Sequence, residues 1–216
     1  NMLSMIVVAV MGVVVLLGII YGLIPVLTFT QGLLTGQKSI QRASEAEEKS
    51  VWITALQMDR FFRQKKMDQL FREYRDKVKQ QRQNGQIVSD LEDILNEDVL
   101  ALYSWQGVVA QIPGTLTGLG ILGTFIGLLR GLRNINFVTV EAALSSVQSI
   151  LTGIDTAFYT SIAGVILSIL FNISNNILRN TMDREMGIFL EVFHRVVLPT
   201  TQEQERYRSR RETRQI

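Results

Sequence analysis

Hydrophobic positions in this chain are gathered into three long runs. Residues 1–37 carry no charge, nor do 99–129, and 142–178 carry Asp155 alone. Uncharged runs of about 18 or more residues are long enough to cross a bilayer as helices. The pattern therefore predicts membrane spans at 3–34, 108–129 and 150–178. Pro25 interrupts the first, which predicts a membrane helix to about Ile24, a kink, and a continuation beyond it. No Lys or Arg precedes that run, and it far exceeds the ~7–15-residue apolar core of a signal peptide. It reads as a retained span.

Between and after the spans the period changes. Val51, Ala55, Met58 and Phe62, then Leu70, Phe71, Tyr74 and Val78, recur at helical spacing, and Met182, Met186, Phe189, Leu190 and Phe193 continue a stripe beyond the third span. The runs Ser44–Glu47 and Ser89–Glu92 both fit a capping box, with Asn84-Gly85 as a turn signal between them. A helix, a turn and a second helix are predicted, the second running into span two through a bend at Pro113.

Charge then sets the orientation. Lys and Arg number 12 in 38–107, 8 in 179–216, and 2 in 130–149. An odd number of spans puts 38–107 and the tail on one side, and the basic excess makes that side cytoplasmic. The expected architecture is all-α: an integral membrane protein whose three transmembrane helices are extended by long cytoplasmic helices. Its parts are the first transmembrane helix in 1–37 with an outside N-terminus, a cytoplasmic helical segment in 38–107, spans two and three in 108–179 around an outer loop 130–149, and a cytoplasmic helical tail in 180–216.

Several chemistries are excluded early. The chain of 216 residues has no cysteine and one histidine, His194, so no thiol, disulfide or multi-His metal pattern exists and a Ser/His/Asp triad is disfavoured. No metal site, cofactor or enzymatic activity is expected. The arginine-rich end reads as a solvated positive-inside tail, and a net charge of +2 gives no expectation of nucleic-acid binding. Gly118, Gly120 and Gly123 spell G-x-G-x-x-G, but inside an uncharged span, without the strand and distant acid a dinucleotide site needs.

Those glycines make sense as helix packing. Gly114–Gly118, Gly123–Gly127 and Gly127–Gly131 are small-xxx-small pairs of the kind that lets membrane helices approach closely. Gly118, Gly123, Gly127 and, on span three, Gly164 are the candidate packing residues. Span three also carries Thr152, Thr156, Thr160, Gly164, Ser168, Asn172 and Asn176 at every fourth position. Such a row drifts by about 40° per step around an α-helix. It is either an interhelical hydrogen-bonding row within one subunit or a wet pathway at a subunit junction. Asp155 is either an interfacial cap or, as intramembrane carboxylates generally are, part of an ion path.

"LGILGTFIGL" at 119–128 and "GIDTAFYTSIAGVIL" at 153–167 resemble the MotA/TolQ/ExbB proton-channel family, and within it look most like the ZorA proteins of Zorya anti-phage systems. The layout agrees: outside N-terminus, large cytoplasmic segment after span one, cytoplasmic tail. The specific motifs cover about 112–172. The resemblance implies a homo-oligomeric ring, a pentamer, in the cell inner membrane around a smaller single-span dimeric partner of the MotB/ExbD/TolR/ZorB kind, which bears the essential aspartate. It implies an ion-channel, stator-like subunit that couples flow of protons, or sodium, to rotation or mechanical work. Thr124 and Thr160 match the family's channel hydroxyls, and Asp155 its span-three acid, with Asp where ExbB-like members usually have Glu. Thr156 and Ser161 join the candidate ion pathway from helix spacing alone. The alternative is a non-conducting three-helix scaffold that recruits partners through its cytoplasmic helices.

Overall fold

A computed structural model describes residues 2–45, 57–58, 60–84, 86–133, 135 and 138–198. Val51, Ala55, Glu47, Gly85 and the arginine-rich end lie outside them. All regular structure among the described residues is helical: α1 (Met2–Gly18), α2 (Ile24–Glu45), α3 (Lys65–Gln83), α4 (Glu97–Tyr103), α5 (Gln106–Val109), α6 (Ile112–Leu132) and α7 (Val140–Val192). Three helical stretches, 4–42, 91–132 and 140–197, are long and apolar enough to cross a membrane. The expected all-α membrane architecture is what the chain forms.

The helix continues past Pro25, as predicted. Pro25 cannot donate to the helix ladder, and the strain is absorbed just before it in a π-helical turn, Ile19–Leu23, where Ile24 N–H reaches back to the Ile19 carbonyl. Thr28 and Thr30 then donate to the Pro25 and Val26 carbonyls at 2.8 and 2.9 Å. Two other expectations are corrected. Ser44 does not open a helix; it lies in the last turn of α2. The stretch Ser89–Glu92 caps only a 3-10 turn, Leu91–Asp93, with Asp90 rather than Ser89 as its cap. The path into span two is also broken more than once. Trp105 takes a left-handed conformation (φ 52°) between α4 and α5, and Pro113 sits in the first turn of α6, where its missing N–H costs nothing. The non-helical connection between the second and third apolar helices is shorter than the expected loop 130–149. Span two continues to Leu132, and Thr139 caps α7, its hydroxyl accepting from Ala142 N–H at 3.1 Å. The polar residues 142–149 are thus helix.

By its contacts the chain divides into two compact units, Asn1–Ile24 with Ser104–Leu178, and Pro25–Tyr103 with Arg179–Ile216. In the first, Met11 of α1, Val109 of α5, Leu116 of α6 and Phe171 of α7 form a fully buried apolar cluster. Glycines allow α1 to come close: a Cβ at Gly18 would lie 2.5–2.6 Å from Ile112 and Phe171, and one at Gly22 2.6 Å from Val109.

The second unit is built on aromatic rings. Phe61 stacks on Phe71 at 4.5 Å, Phe62 meets Phe189 edge-on at 5.1 Å, and Tyr74 meets Phe193 at 5.9 Å. The predicted stripes meet here: Leu70, Phe71, Tyr74 and Val78 of α3 are buried, as are Met182, Met186, Phe189 and Phe193 on the other side, with Leu190 half-buried. Tyr74 donates to the Ser89 carbonyl at 3.1 Å. Burial pushes its phenol above its ordinary range, and the carboxylates of Asp90 and Asp93 add to this, so it remains a neutral donor. Gln81 clasps Ser89 from both sides, donating to its hydroxyl at 2.7 Å and accepting from its N–H at 2.9 Å. His194 Nδ1 lies 2.7 Å from Asp90 Oδ2.

Asp68 is a buried carboxylate that accepts from Phe62 N–H at 2.8 Å, next to Arg63 with φ 54°. Its alanine variant leaves that buried N–H without an acceptor. Asp68→Ala is expected to destabilise this unit by about 2 kcal/mol, while Asp68→Asn, which keeps an oxygen there, costs less. Thermal denaturation of the two variants in one detergent checks the order.

Candidate functional site: the seam between spans two and three

The predicted site residues lie on α6 and α7, which run antiparallel through the first unit. Small residues decide how closely they approach. A Cβ at Gly123 would sit 2.6–2.7 Å from the Thr160 side chain; at Gly127, 3.0 Å from Ala157 N and the Gly153 carbonyl; at Gly164, 2.7 Å from the Leu116 carbonyl. Gly123, Gly127 and Gly164 thus line a backbone-to-backbone seam, continued by Gly120, Gly131 and Gly153. Gly153 is not among the glycines named from the sequence. The signal for Gly153 was legible, because Gly153 and Ala157 are themselves a small-xxx-small pair. Gly118 lies outside this seam: it is exposed, with nothing of this chain within 4 Å of a Cβ placed there, and Gly114 is the same. The G-x-x-x-G spacing recurs along α6, but only the glycines on the α7 side close the seam.

Hydroxyls are set into this seam. Thr124 donates to the Gly120 carbonyl at 3.1 Å and across to the Ala157 carbonyl at 3.3 Å. Thr160 is 1% exposed and donates to the Thr156 and Ala157 carbonyls at 3.2 and 3.0 Å. Thr156, also buried, donates to the Thr152 carbonyl at 2.9 Å. Ser168 reaches across to the Pro113 carbonyl at 2.8 Å. Ser161 is half-buried, and its carbonyl lies 3.3 Å from a Cβ at Gly120.

The fourfold row behaves as its drift requires. Its middle members Thr156, Thr160 and Gly164 are buried and Ser168 is half-buried, while Thr152, Asn172 and Asn176 at the ends are exposed. The buried face instead follows the mean helical period, through Gly153, Ala157, Thr160, Gly164, Phe171 and Asn175. Of the candidate pathway residues, Thr124, Thr156 and Thr160 come together. Asp155 does not join them. Five residues before Thr160 it points about 140° away around the helix, and it is exposed on a face shared with Thr152, Phe158 and Tyr159.

The site can therefore do two things chemically. Thr124 and Ser168 tie the two spans together through carbonyls of the facing helix, while Thr156 and Thr160 bond back onto their own helix, and all keep acceptor lone pairs. Outside the seam, α7 offers a carboxylate, a hydroxyl and a phenol on one side of a helix long enough to cross a membrane. Among the described residues no group of three or more His, Cys, Asp or Glu side chains is placed to hold a metal ion.

Comparison with known proteins identifies a family. The family described as anti-phage protein ZorA of the Zorya type I system matches residues 1–182. Curated relatives include the Zorya protein ZorA of Escherichia coli strain ATCC 8739, 47% identical over 60 residues, and that of Escherichia coli O139:H28, 44% identical over 60 residues. Each alignment covers 28% of this chain but 10% and 8% of the relative, so the matched stretch spans about a tenth of the length of these curated proteins. The family match takes in all three apolar helices, the glycine seam and the threonines set into it, and the chain belongs to the family of ZorA-like anti-phage proteins of the Zorya type I system.

Proposed function

We propose that this chain is the ring-forming, ion-conducting subunit of a membrane motor in anti-phage defence, and that it is not an enzyme. Membership of a Zorya system implies partner subunits. The finer reading is a ring, of five copies by resemblance to the MotA/TolQ/ExbB family, in the inner membrane around a dimeric single-span partner of the ZorB kind. That partner carries the aspartate that is alternately neutralised and recharged. Protons, or sodium ions, pass along the Thr124–Thr160 hydroxyls where subunits meet the partner. Each charge falling through about 100 mV releases roughly 2.3 kcal/mol, enough to drive a step from one subunit to the next.

The observation that supports this most directly is the outward face of α7. Asp155, Thr152 and Tyr159 are exposed there within an otherwise uncharged run. A carboxylate facing lipid is costly, on the order of 2.5–3.5 kcal/mol by insertion scales. Cover from a neighbouring polypeptide or a hydrated junction removes that cost, and a ring supplies both.

Native mass spectrometry of the gently solubilised complex, co-expressed with the single-span partner of its system, tests the assembly. Several copies with fewer partner chains are expected. A monomer or a one-to-one complex overturns the ring and leaves the scaffold reading in front. On the same complex in vesicles, Asp155→Asn is expected to lower ion flux severalfold without changing the mass; unaltered flux removes Asp155 from the pathway.

A further inference from the structure

Two carboxamides in the first unit are buried with atoms that no protein group satisfies. Gln106, which opens α5, is 3% exposed, and Asn175 on α7 is 6% exposed. Gln106 Nε2, Gln106 Oε1 and Asn175 Oδ1 have no hydrogen-bond partner among the described residues. Buried polar atoms in folded proteins are nearly always satisfied, by protein or by internal water. Three such atoms on two residues therefore ask for an occupant.

The register of the seam puts the two residues at one level. Going down α6 and up α7, Gly123 faces Thr160, Gly120 faces Gly164, and the Pro113 carbonyl meets Ser168. Gln106 lies seven residues before Pro113 and Asn175 seven residues after Ser168. The link between α5 and α6 is a single turn, with Ala110 N–H bonded to the Gln106 carbonyl, Gln111 N–H to the Val108 carbonyl and Thr115 N–H to the Gln111 carbonyl. Both amides thus lie beyond the Ser168–Pro113 contact, at the same end of the seam. One turn back toward that contact, Val109 and Phe171 belong to the apolar cluster with Met11 and Leu116, which closes the site on that side.

The atoms to be satisfied have both signs: two carbonyl oxygens that accept and one amide nitrogen that donates. A cation would serve the oxygens and be repelled by the amide hydrogens; an anion would do the reverse. Water serves both. We propose that Gln106 and Asn175 form a buried water site at the end of the α6–α7 seam, shut off from the Ser168–Pro113 contact by that apolar cluster.

The test uses the full-length chain with its partner, in detergent and in vesicles. Pulsed hydroxyl-radical labelling, which activates bound water in place, is expected to modify Phe171 and Met11 in the wild type despite bulk scavengers, and to fail in the Gln106→Leu/Asn175→Leu double variant. Each single leucine variant is expected to lower the Tm by a few degrees, the double by less than the sum, because both act on one occupant. Absent wild-type labelling, or leucine variants that stabilise additively, overturns the water site. Should a variant fail to fold, the wild-type labelling result stands by itself.

Discussion

Valine at Gly153 or Gly164 is expected to abolish accumulation of folded protein, whereas alanine at Gly118 leaves the single-chain fold intact. The difference lies in what a new Cβ meets. At Gly153 it would be 2.7 Å from the Gly127 carbonyl oxygen and from Gly131 Cα; at Gly164, 2.7 Å from the Leu116 carbonyl and 2.9 Å from Gly120 Cα. These are backbone atoms of a facing helix and have no rotamer to change, so the two helices must separate by about 1 Å along the seam. Overpacking a core commonly costs about 1–3 kcal/mol where side chains can adjust. Here separation also breaks the Thr124–Ala157 and Ser168–Pro113 bonds and loosens every close contact between Gly120 and Gly131. Dispersion falls steeply over that distance, and lipid offers no hydrophobic drive to reclose the gap. Membrane yield and thermal stability of the purified variants check the result. Gly118→Ala also carries information: if it folds normally but forms a smaller assembly, the open side of α6 is where a neighbouring subunit sits.

How far the sequence foretold this depends on whether a property is local. The spans were legible because absence of charge over more than 20 residues needs no knowledge of neighbours. Pro25 was legible because the missing N–H acts on its own helix, although the sequence did not say that a π turn would absorb it. The loop 130–149 was drawn too long because Ser145, Ser146, Gln148 and Ser149 look polar in sequence. In the helix, Ser145 and Ser146 fold their hydroxyls back onto the Ala142 carbonyl at 2.9 and 2.8 Å. Capping at Ser89 was misassigned for a tertiary reason, since Gln81 had already engaged that residue. Of the overlapping glycine pairs on α6, only a facing helix chooses between them, so Gly118 could not be separated from Gly123 beforehand. Asp155 and Thr160 are grouped by resemblance to the family's channel residues, and helical geometry parts them.

Thr160→Val is expected to stop ion flow while leaving the bundle folded, and these two results together separate a conducting hydroxyl from a packing one. Valine has the shape of threonine, so the contact with Gly123 is kept. The hydroxyl's own bonds run to the Thr156 and Ala157 carbonyls, which lie on α7 itself and are engaged by the helix ladder. Losing the donor therefore strands no backbone group, and the stability change should stay within about 1 kcal/mol. Flux is another matter. If ions cross at this level, a methyl group replaces an oxygen that can stabilise a passing hydronium, and a drop of roughly tenfold or more corresponds to a barrier rise of about 1.4 kcal/mol. Thr160→Ser makes the opposite exchange, losing the methyl and keeping the oxygen, so it should be the less stable and the more conductive of the two. Proton uptake into vesicles holding equal amounts of assembled complex measures this. Thr124→Val, which removes a bond across the seam to the Ala157 carbonyl, should lose both stability and flux. Full flux in Thr160→Val would make the threonine row an adhesive between helices, and the path would then have to run along the other side of α7, past Thr152, Asp155 and Tyr159.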